Sequence, residues 1–349
     1  MKKIAIILAG GSGTRLWPLS TEKHPKPLLE FFNHKTLLEE TIFRAKLFAD
    51  DIFVLTTGDV NQAAHDEFKS LGIKHNNVFI EPRGADTGAA IAFGIAQVKK
   101  RYGKKTIVVL TPVDHRIKNY GAFYRDMTFA ISSAIEHHSV VLFGITPSFP
   151  STGYGYIKVG RKISQSDRDS LLEVDSFHEK PNEPTAKEFA KSADHVWNSG
   201  IYVATIASFE GVLGINRLLF KWYKSLASIG RHRKMPFQFK EFQFEHGIIE
   251  SSDNLTSVIA TFDWADIGSY DELSKSTAAT DNHGNAINGN AEADDCINCL
   301  IIGRSKKIIA LGLNDIAIVD SPDGILVCRK STHSQLVGQI ATESSQEES

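Results

Sequence analysis

The sequence predicts an α/β fold: a mostly parallel sheet covered by helices on both faces, followed by a small all-β unit. Apolar runs at 4–9, 52–56, 77–81, 106–110 and 139–145 have the continuous hydrophobicity of strands buried on both faces. Between them, 36–48 and 87–101 repeat apolar residues at three and four, the spacing of a helix with one buried face. Alternation of this kind places ligands at the carboxyl ends of the strands. After about residue 280 the pattern changes. Asp281-Asn282-His283-Gly284-Asn285 and Asn288-Gly289-Asn290 read as turns, and short β runs follow near 300–302, 307–311, 315–319 and 324–328.

The first strand, Ile4-Ala5-Ile6-Ile7-Leu8-Ala9, runs straight into Gly10-Gly11-Ser12-Gly13-Thr14-Arg15, and Lys26 follows in Pro25-Lys26-Pro27. Glycines let backbone N–H groups approach an anion closely, and two cations neutralise it. The stretch is therefore expected to hold a polyphosphate. Two common phosphate loops fail on spacing. No Lys-Ser/Thr follows Gly13, as a Walker A loop requires, and a dinucleotide fingerprint would need glycine in place of Ser12 or Leu16.

Composition bounds the function. The 349 residues allow one large or two modest domains, and 42% hydrophobic with 23% charged residues is ordinary for a globular protein. A net charge of -2 gives no electrostatic case for nucleic acid or an anionic membrane, and Arg231-His232-Arg233-Lys234 reads as a solvated loop. No apolar run is long enough to span a bilayer. The run after Met1-Lys2-Lys3 is too short for a signal peptide and leads into the phosphate loop, so a cytoplasmic protein is expected. Three cysteines make no disulfide framework, and Cys296-x-x-Cys299, without a second ligand pair, reads as two buried small residues.

Further blocks fall in order along the chain: Glu81-Pro82, Asp86-Thr87, Pro112-Val113-Asp114-His115, Thr152-Gly153-Tyr154-Gly155-Tyr156-Ile157, Phe177-His178-Glu179-Lys180-Pro181, Trp197-Asn198-Ser199-Gly200-Ile201 and Asp263-Trp264-Ala265-Asp266-Ile267-Gly268. With the opening loop, this set resembles the sugar-1-phosphate nucleotidyltransferases, and most closely those members that join GTP to mannose 1-phosphate. The resemblance implies a Rossmann-like nucleotidyltransferase domain over 1–280 and a short left-handed β-helix-like domain over 281–341. The polar segment 342–349 is expected to be a flexible tail. It also implies Mg²⁺ as cofactor and a homodimer. With no room for a further fused domain, a monofunctional enzyme is expected.

The implied reaction gives a GDP-sugar and pyrophosphate. A sugar phosphate is already ionised near neutral pH, its second pKa being about 6, so no strong general base is needed. The task is to hold two anions in line and absorb charge. Arg15 and Lys26 suit that task, with the backbone from Leu8 through Ala9, Gly10, Gly11, Ser12, Gly13 and Thr14 along the nucleotide. Asp114 and Asp266 are expected to carry the metal, and Asp263 to be a bystander. The resemblance places Glu81, Pro82, Asp86, Thr87 and Gly88 at the nucleotide. A carboxylate at Glu81 can accept both the N1–H and N2–H₂ donors of guanine. Gly155, Glu179, Lys180 and Asn198 would hold the sugar phosphate. Phe177, Trp197 and Ile201 are expected to pack beneath the site, with His115 beside the metal and His178 without a catalytic role. The chain departs from the family's pattern at Ala85, where arginine is usual, at Gly88-Ala89, where Ala-Pro is common, and at His178, where valine is commoner. Two alternatives stay open: another pair such as glucose 1-phosphate with UTP or dTTP, and a non-catalytic regulatory homologue that binds GDP-mannose.

Overall fold

The computed structural model describes residues 1–11, 13–32, 34–81, 87–165, 169–228, 242–277 and 281–330. Among them, nine strands form one sheet: β1 (Lys3–Ala9), β2 (Asp51–Thr56), β3 (Val78–Ile80), β4 (Ile107–Pro112), β5 (Val140–Ile145), β6 (Tyr156–Gln165), β7 (Ser170–His178), β8 (His195–Thr205) and β9 (Leu255–Ile259). Their order is β3-β2-β1-β4-β8-β5-β9-β7-β6, and β8 also pairs with β6. Only β7 and β8 run against the other seven, so the sheet is mixed but mostly parallel. The strands of the sequence reading stand within a residue or two; β6 and β7 lacked its continuous apolar signal because they mix buried and exposed positions, and β8 and β9 because polar residues such as Asn198, Ser199, Thr256 and Ser257 are buried within them.

Two covered faces explain that signal. Along β1, Ile4 and Ile6 enter one core with helix Thr87–Tyr102, whereas Ala5, Ile7 and Ala9 enter a second core with helices Leu37–Lys46 and Tyr120–His137. Each large aliphatic side chain buried this way contributes about 1.5–3 kcal/mol. A capping box starts helix Leu37–Lys46: the Glu39 N–H donates to Thr36 Oγ1 at 3.0 Å, and the Thr36 N–H to Glu39 Oε2 at 2.8 Å. No helix among the described residues is long and apolar enough to cross a membrane.

The C-terminal strands β10 (Ala286–Asp294), β11 (Leu300–Leu311), β12 (Ile316–Ser321) and β13 (Gly324–Arg329) form a separate sheet in chain order. β10, β11 and β12 pair in parallel across short connections, the stacking of a β-helix, and β13 returns antiparallel. Two expectations are corrected. Asn288-Gly289-Asn290 is not a turn between strands but lies inside β10, and the runs at 300–302 and 307–311 are one strand. The chain bends at corners without leaving the ladder. Gly289, at φ 76°, passes so close to Gly303 that a Cβ would stand 2.1 Å from its carbonyl oxygen. At the facing corner the Asp320 carboxylate accepts the N–H groups of Arg304, Ser305 and Lys306 at 3.2, 2.7 and 2.9 Å and the Ser305 hydroxyl at 2.6 Å. Cys296 and Cys299 are buried inside the coil, as small core residues.

This sheet packs on the phosphate loop. Leu16 and Leu19 share one core with Ala286, Leu300, Ile302, Ala317 and Val319. The Ser321 hydroxyl donates to the Pro18 carbonyl at 2.9 Å, and Thr21 Oγ1 donates to Asp323 Oδ2 at 2.8 Å.

Donation from Ser305 and three backbone N–H groups holds the Asp320 carboxyl down at about 2, below its unfolded value of about 4. Its stabilisation is thus complete above pH ~4 and lost as pH falls toward ~2. Asp320→Ala should cost on the order of 2–4 kcal/mol near neutrality. In urea melts taken across pH, that gap should narrow from pH ~4 downward and close toward pH ~2.

Candidate active site

The loop after β1 is shaped by three glycines with different constraints. Gly11 and Gly13 sit at φ 99° and 62°, in the left-handed region. A Cβ on Gly13 would also stand 2.2 Å from Ser20 Oγ and 2.8 Å from Lys26 Cβ. At Gly10 a Cβ would stand 3.1 Å from Glu81 Oε1. Lys26 and Glu81 thus both lie close against the loop. The 3₁₀ turn Thr14–Leu16 carries Arg15, and Tyr270 Oη holds the turn by donating to the carbonyls of Leu16 and Trp17, each at 2.8 Å. Gly10, Gly11, Gly13, Thr14, Arg15, Lys26, Asp114 and Gly268 line a cavity of about 250 Å³. Leu8 and Ala9 remain in the strand and support the loop from below. Ser12, Pro82 and Asp86 lie outside the described residues, as do Ala85 and the basic cluster 231–234.

Asp114 and Asp266, far apart in the chain, are joined by a two-residue antiparallel ribbon. His115–Arg116 pairs with Ala265–Asp266, setting His115 opposite Asp266, and the Ile267 N–H donates to the Asp114 carbonyl at 3.0 Å. Lys26 Nζ donates to Asp114 Oδ2 at 2.5 Å. Asp266 Oδ2 and an Arg15 guanidinium nitrogen both lie 3.4 Å from the point where a Cβ on Gly268 would stand. Asp114, Arg15 and Lys26 therefore line one cavity, with Asp266 beside it at Gly268. Burial pushes the Asp266 carboxyl well up, and the charge of Asp114 adds to this. Burial also opposes ionisation of Asp114, but Lys26 and His115 outweigh it and hold that carboxyl low. The His115 imidazole is kept neutral by burial, lowered to about 4, and sits edge-on to Trp264 at 5.3 Å.

These residues suit a divalent cation. Asp266 Oδ1 is buried without a hydrogen-bond partner, an oxygen left for a ligand. No group of three His, Cys, Asp or Glu residues forms a metal cluster among the described residues. Mg²⁺ commonly takes one or two carboxylates and completes its shell with substrate phosphates and water, so a pair is sufficient. Asp263, three residues from Asp266, is engaged elsewhere. It accepts the N–H groups of Lys118 and Asn119 at 2.7–3.1 Å ahead of helix Tyr120–His137.

A second group of residues stands on β6, β7 and β8. Glu179 follows the end of β7, whereas Gly155 precedes β6 and Asn198 lies within β8. β8 is irregular at Asn198: its register to β5 shifts between Asn198 and Tyr202, and Gly200 has φ 74°. A Cβ on Gly155 would stand 2.6 Å from Glu179 Oε2, and the Asn198 N–H donates to the Gly155 carbonyl at 2.8 Å. Lys180 Nζ lies 3.2 Å from Glu179 Oε1, while Glu179 Oε2 is buried and unpartnered. Burial raises the Glu179 carboxyl, reinforced by Glu245, while Lys180 opposes the rise. Phe177, Trp197 and Ile201 are buried beneath, and His178 packs edge-on to Phe189.

Two segments were missed in the sequence. Glu272 accepts the Gly268 N–H at 3.0 Å and the hydroxyl of Tyr154, fixing the turn after Asp266. Phe242 to Glu245 cover the start of helix Thr87–Tyr102: the Gly88 N–H donates to the Phe242 carbonyl at 2.9 Å, and a Cβ on Gly88 would stand 2.5 Å from the Phe242 ring. That approach explains glycine at 88. Thr87 and Gly88 meet this segment rather than the loop cavity. Glu272 lies four residues past Gly268 and Phe242 more than 150 past Gly88, and neither placement carries a sequence pattern that announces the contact.

Residues 4–283 match the nucleotidyl transferase family. The chain belongs to that family. Its members act on a nucleoside triphosphate and a sugar 1-phosphate and generally use divalent metal ions. A mannose-1-phosphate guanylyltransferase of Escherichia coli is 30% identical over 344 residues, covering 94% of this chain and 73% of that protein. The xanthan biosynthesis protein XanB of Xanthomonas campestris pv. campestris (strain B100) is 31% identical, covering 93% and 69%. A crystal structure from Thermus thermophilus, described as a mannose-1-phosphate geranyltransferase, matches with a TM-score of 0.87 at 26% identity, covering 98% and 99%.

Because a methyl group at Gly13 has no room beside Ser20 and Lys26, Gly13→Ala should displace the Lys26 stem. Nucleotide affinity measured by calorimetry should fall at least tenfold while circular dichroism stays that of the folded protein.

Proposed function

We propose that this nucleotidyltransferase transfers GMP from GTP to α-D-mannose 1-phosphate, releasing pyrophosphate, with Mg²⁺ as the cation. The observation that carries the reading is the His115–Asp266 ribbon, which sets two carboxylates opposite Arg15 and Lys26. That arrangement suits a triphosphate about to lose its two outer phosphoryl groups. The names of the E. coli and Thermus relatives support mannose 1-phosphate as acceptor. Three free cysteines suit a reducing compartment, and we place the enzyme in the cytoplasm, as a homodimer.

In this account an ionised oxygen of the sugar phosphate attacks the α-phosphorus of GTP. The new P–O bond forms as the bond to the β-phosphate oxygen breaks, and the electron pair leaves with pyrophosphate. Arg15 and Lys26 hold the departing phosphates, aided by N–H groups of the glycine loop. Asp114 and Asp266 would hold Mg²⁺. When bound, the cation neutralises charge on the phosphates and keeps attacker and leaving group in line. Glu81, drawn against Gly10, accepts the paired donors of guanine. On the acceptor side, Glu179 and Asn198 meet sugar hydroxyls beside the bare backbone of Gly155, and Lys180 meets the sugar's phosphate.

Pyrophosphate release across a matrix of nucleoside triphosphates and hexose 1-phosphates tests this reading. GTP with mannose 1-phosphate should turn over only with a divalent cation, and turnover confined to another pair would refute the specificity. The neighbouring aspartates should separate cleanly. Asp266→Ala should lower kcat by about 10²–10³, the usual loss for one preorganised charged group. Asp263→Ala should keep kcat within a few-fold while lowering Tm.

A further inference from the structure

A hydrogen-bonded chain links the sugar-side residues to the start of helix Thr87–Tyr102. Asn198 Nδ2 donates to Tyr202 Oη at 2.8 Å, and Tyr202 Oη lies 3.0 Å from Glu245 Oε1. The other carboxylate oxygen of Glu245 accepts from Thr87 Oγ1 at 3.4 Å, and Thr87 Oγ1 accepts the Phe244 N–H at 2.9 Å. Tyr202 is 1% exposed and Asn198 8%.

The direction of every proton in this chain follows from chemistry. A carboxylate only accepts, and a phenol has one hydrogen, so the Tyr202 proton points to Glu245. Burial and the adjacent Glu245 charge push the Tyr202 phenol far above its ordinary range, so it stays protonated. Its oxygen can then only accept from Asn198, which must present Nδ2. Turning the amide over would set two acceptors face to face in a buried place. Asn198 Oδ1 is thereby directed to the Gly200 N–H, at 3.2 Å, with a second lone pair left over.

We propose that Tyr202 and Glu245 are positioning residues that lock the Asn198 amide in the one orientation that can recognise the acceptor sugar. The proposal rests on the sugar-side role given to Asn198 above. Neither residue touches the reacting atoms. With the amide locked, Asn198 offers a sugar hydroxyl its oxygen lone pair and its remaining N–H in fixed places. Released, the amide has no partner to fix it, and sugar binding loses the free energy of the hydrogen bond that held it in place. The chain acts on the acceptor sugar and leaves the triphosphate cavity at Gly10 to Arg15 unaltered.

Initial rates with both substrates varied, on Tyr202→Phe, Glu245→Ala and Glu245→Gln, test the proposal. Tyr202→Phe keeps the buried ring and the Glu245 charge but removes the link. Tyr202→Phe and Glu245→Ala should each raise KM for the hexose 1-phosphate about five- to tenfold, the worth of one ordinary hydrogen bond. KM for the triphosphate should stay within about twofold. The double variant should do no worse than either alone, because both act through one amide. Glu245→Gln keeps an acceptor for the phenol and should stay near wild type. An unchanged sugar KM in Tyr202→Phe, or an equal rise in both KM values, would overturn the proposal. So would a Glu245→Gln as impaired as Glu245→Ala, which would assign the effect to charge. If the wild type turns over a different hexose 1-phosphate, the specificity reading fails, and the same comparison with that sugar still decides this one.

Discussion

Asp114 and Asp266 stand together in one half-buried space because His115–Arg116 and Ala265–Asp266 pair as a ribbon. Two like charges there are unfavourable by themselves, and the fold offsets the cost in several ways at once. Lys26 bonds Asp114, the Asp266 carboxyl is driven toward its neutral form, and Arg15 stands across Gly268. The result is a site with a strong demand for positive charge that protein groups only partly meet. A divalent cation with a triphosphate is one way to meet it, and the geometry of the remaining parts is consistent with that use.

The C-terminal sheet belongs to the same construction. Its inner residues share a core with Leu16 and Leu19, and Ser321 and Asp323 bind the segment between Arg15 and Lys26. Tyr270 fixes the turn of Arg15 from the other side. A loop rich in glycine has high freedom in the unfolded chain, and ordering it is costly. Packing a rigid β unit against its outer flank lets the loop keep glycine at the positions where ligand approaches while limiting its motion.

Much of this was legible in the sequence where a local pattern carried it. β1 to β5 announce themselves as apolar runs, and the loop from Gly10 to Arg15 fails known spacings in an informative way. Asp114 could be read from its place after β4, and Cys296 and Cys299 from the lack of partners. The Asn288-Gly289-Asn290 stretch misled because turn chemistry is shared by hairpin loops and by corners of a coiled ladder, which differ only in what the next strand does. Asn198 sits within a strand where β8 shifts register against β5, a feature with no local sequence signal beyond Gly200. Glu245, Glu272 and Tyr202 were invisible for a simpler reason. Each acts through hydrogen bonds that the tertiary fold sets up, Tyr202 to Glu245, Glu245 to Thr87 and Glu272 to Tyr154, and no periodicity records such contacts.

The most direct measurement of the central claim is an anomalous-scattering map of crystals grown with Mn²⁺ and a non-hydrolysable GTP analogue. The account predicts one strong peak within about 2–2.6 Å of both the Asp114 and Asp266 carboxylates, with phosphate oxygens completing its shell. A metal bound elsewhere, with Lys26 still seated on Asp114 and Asp266 bare, would contradict it.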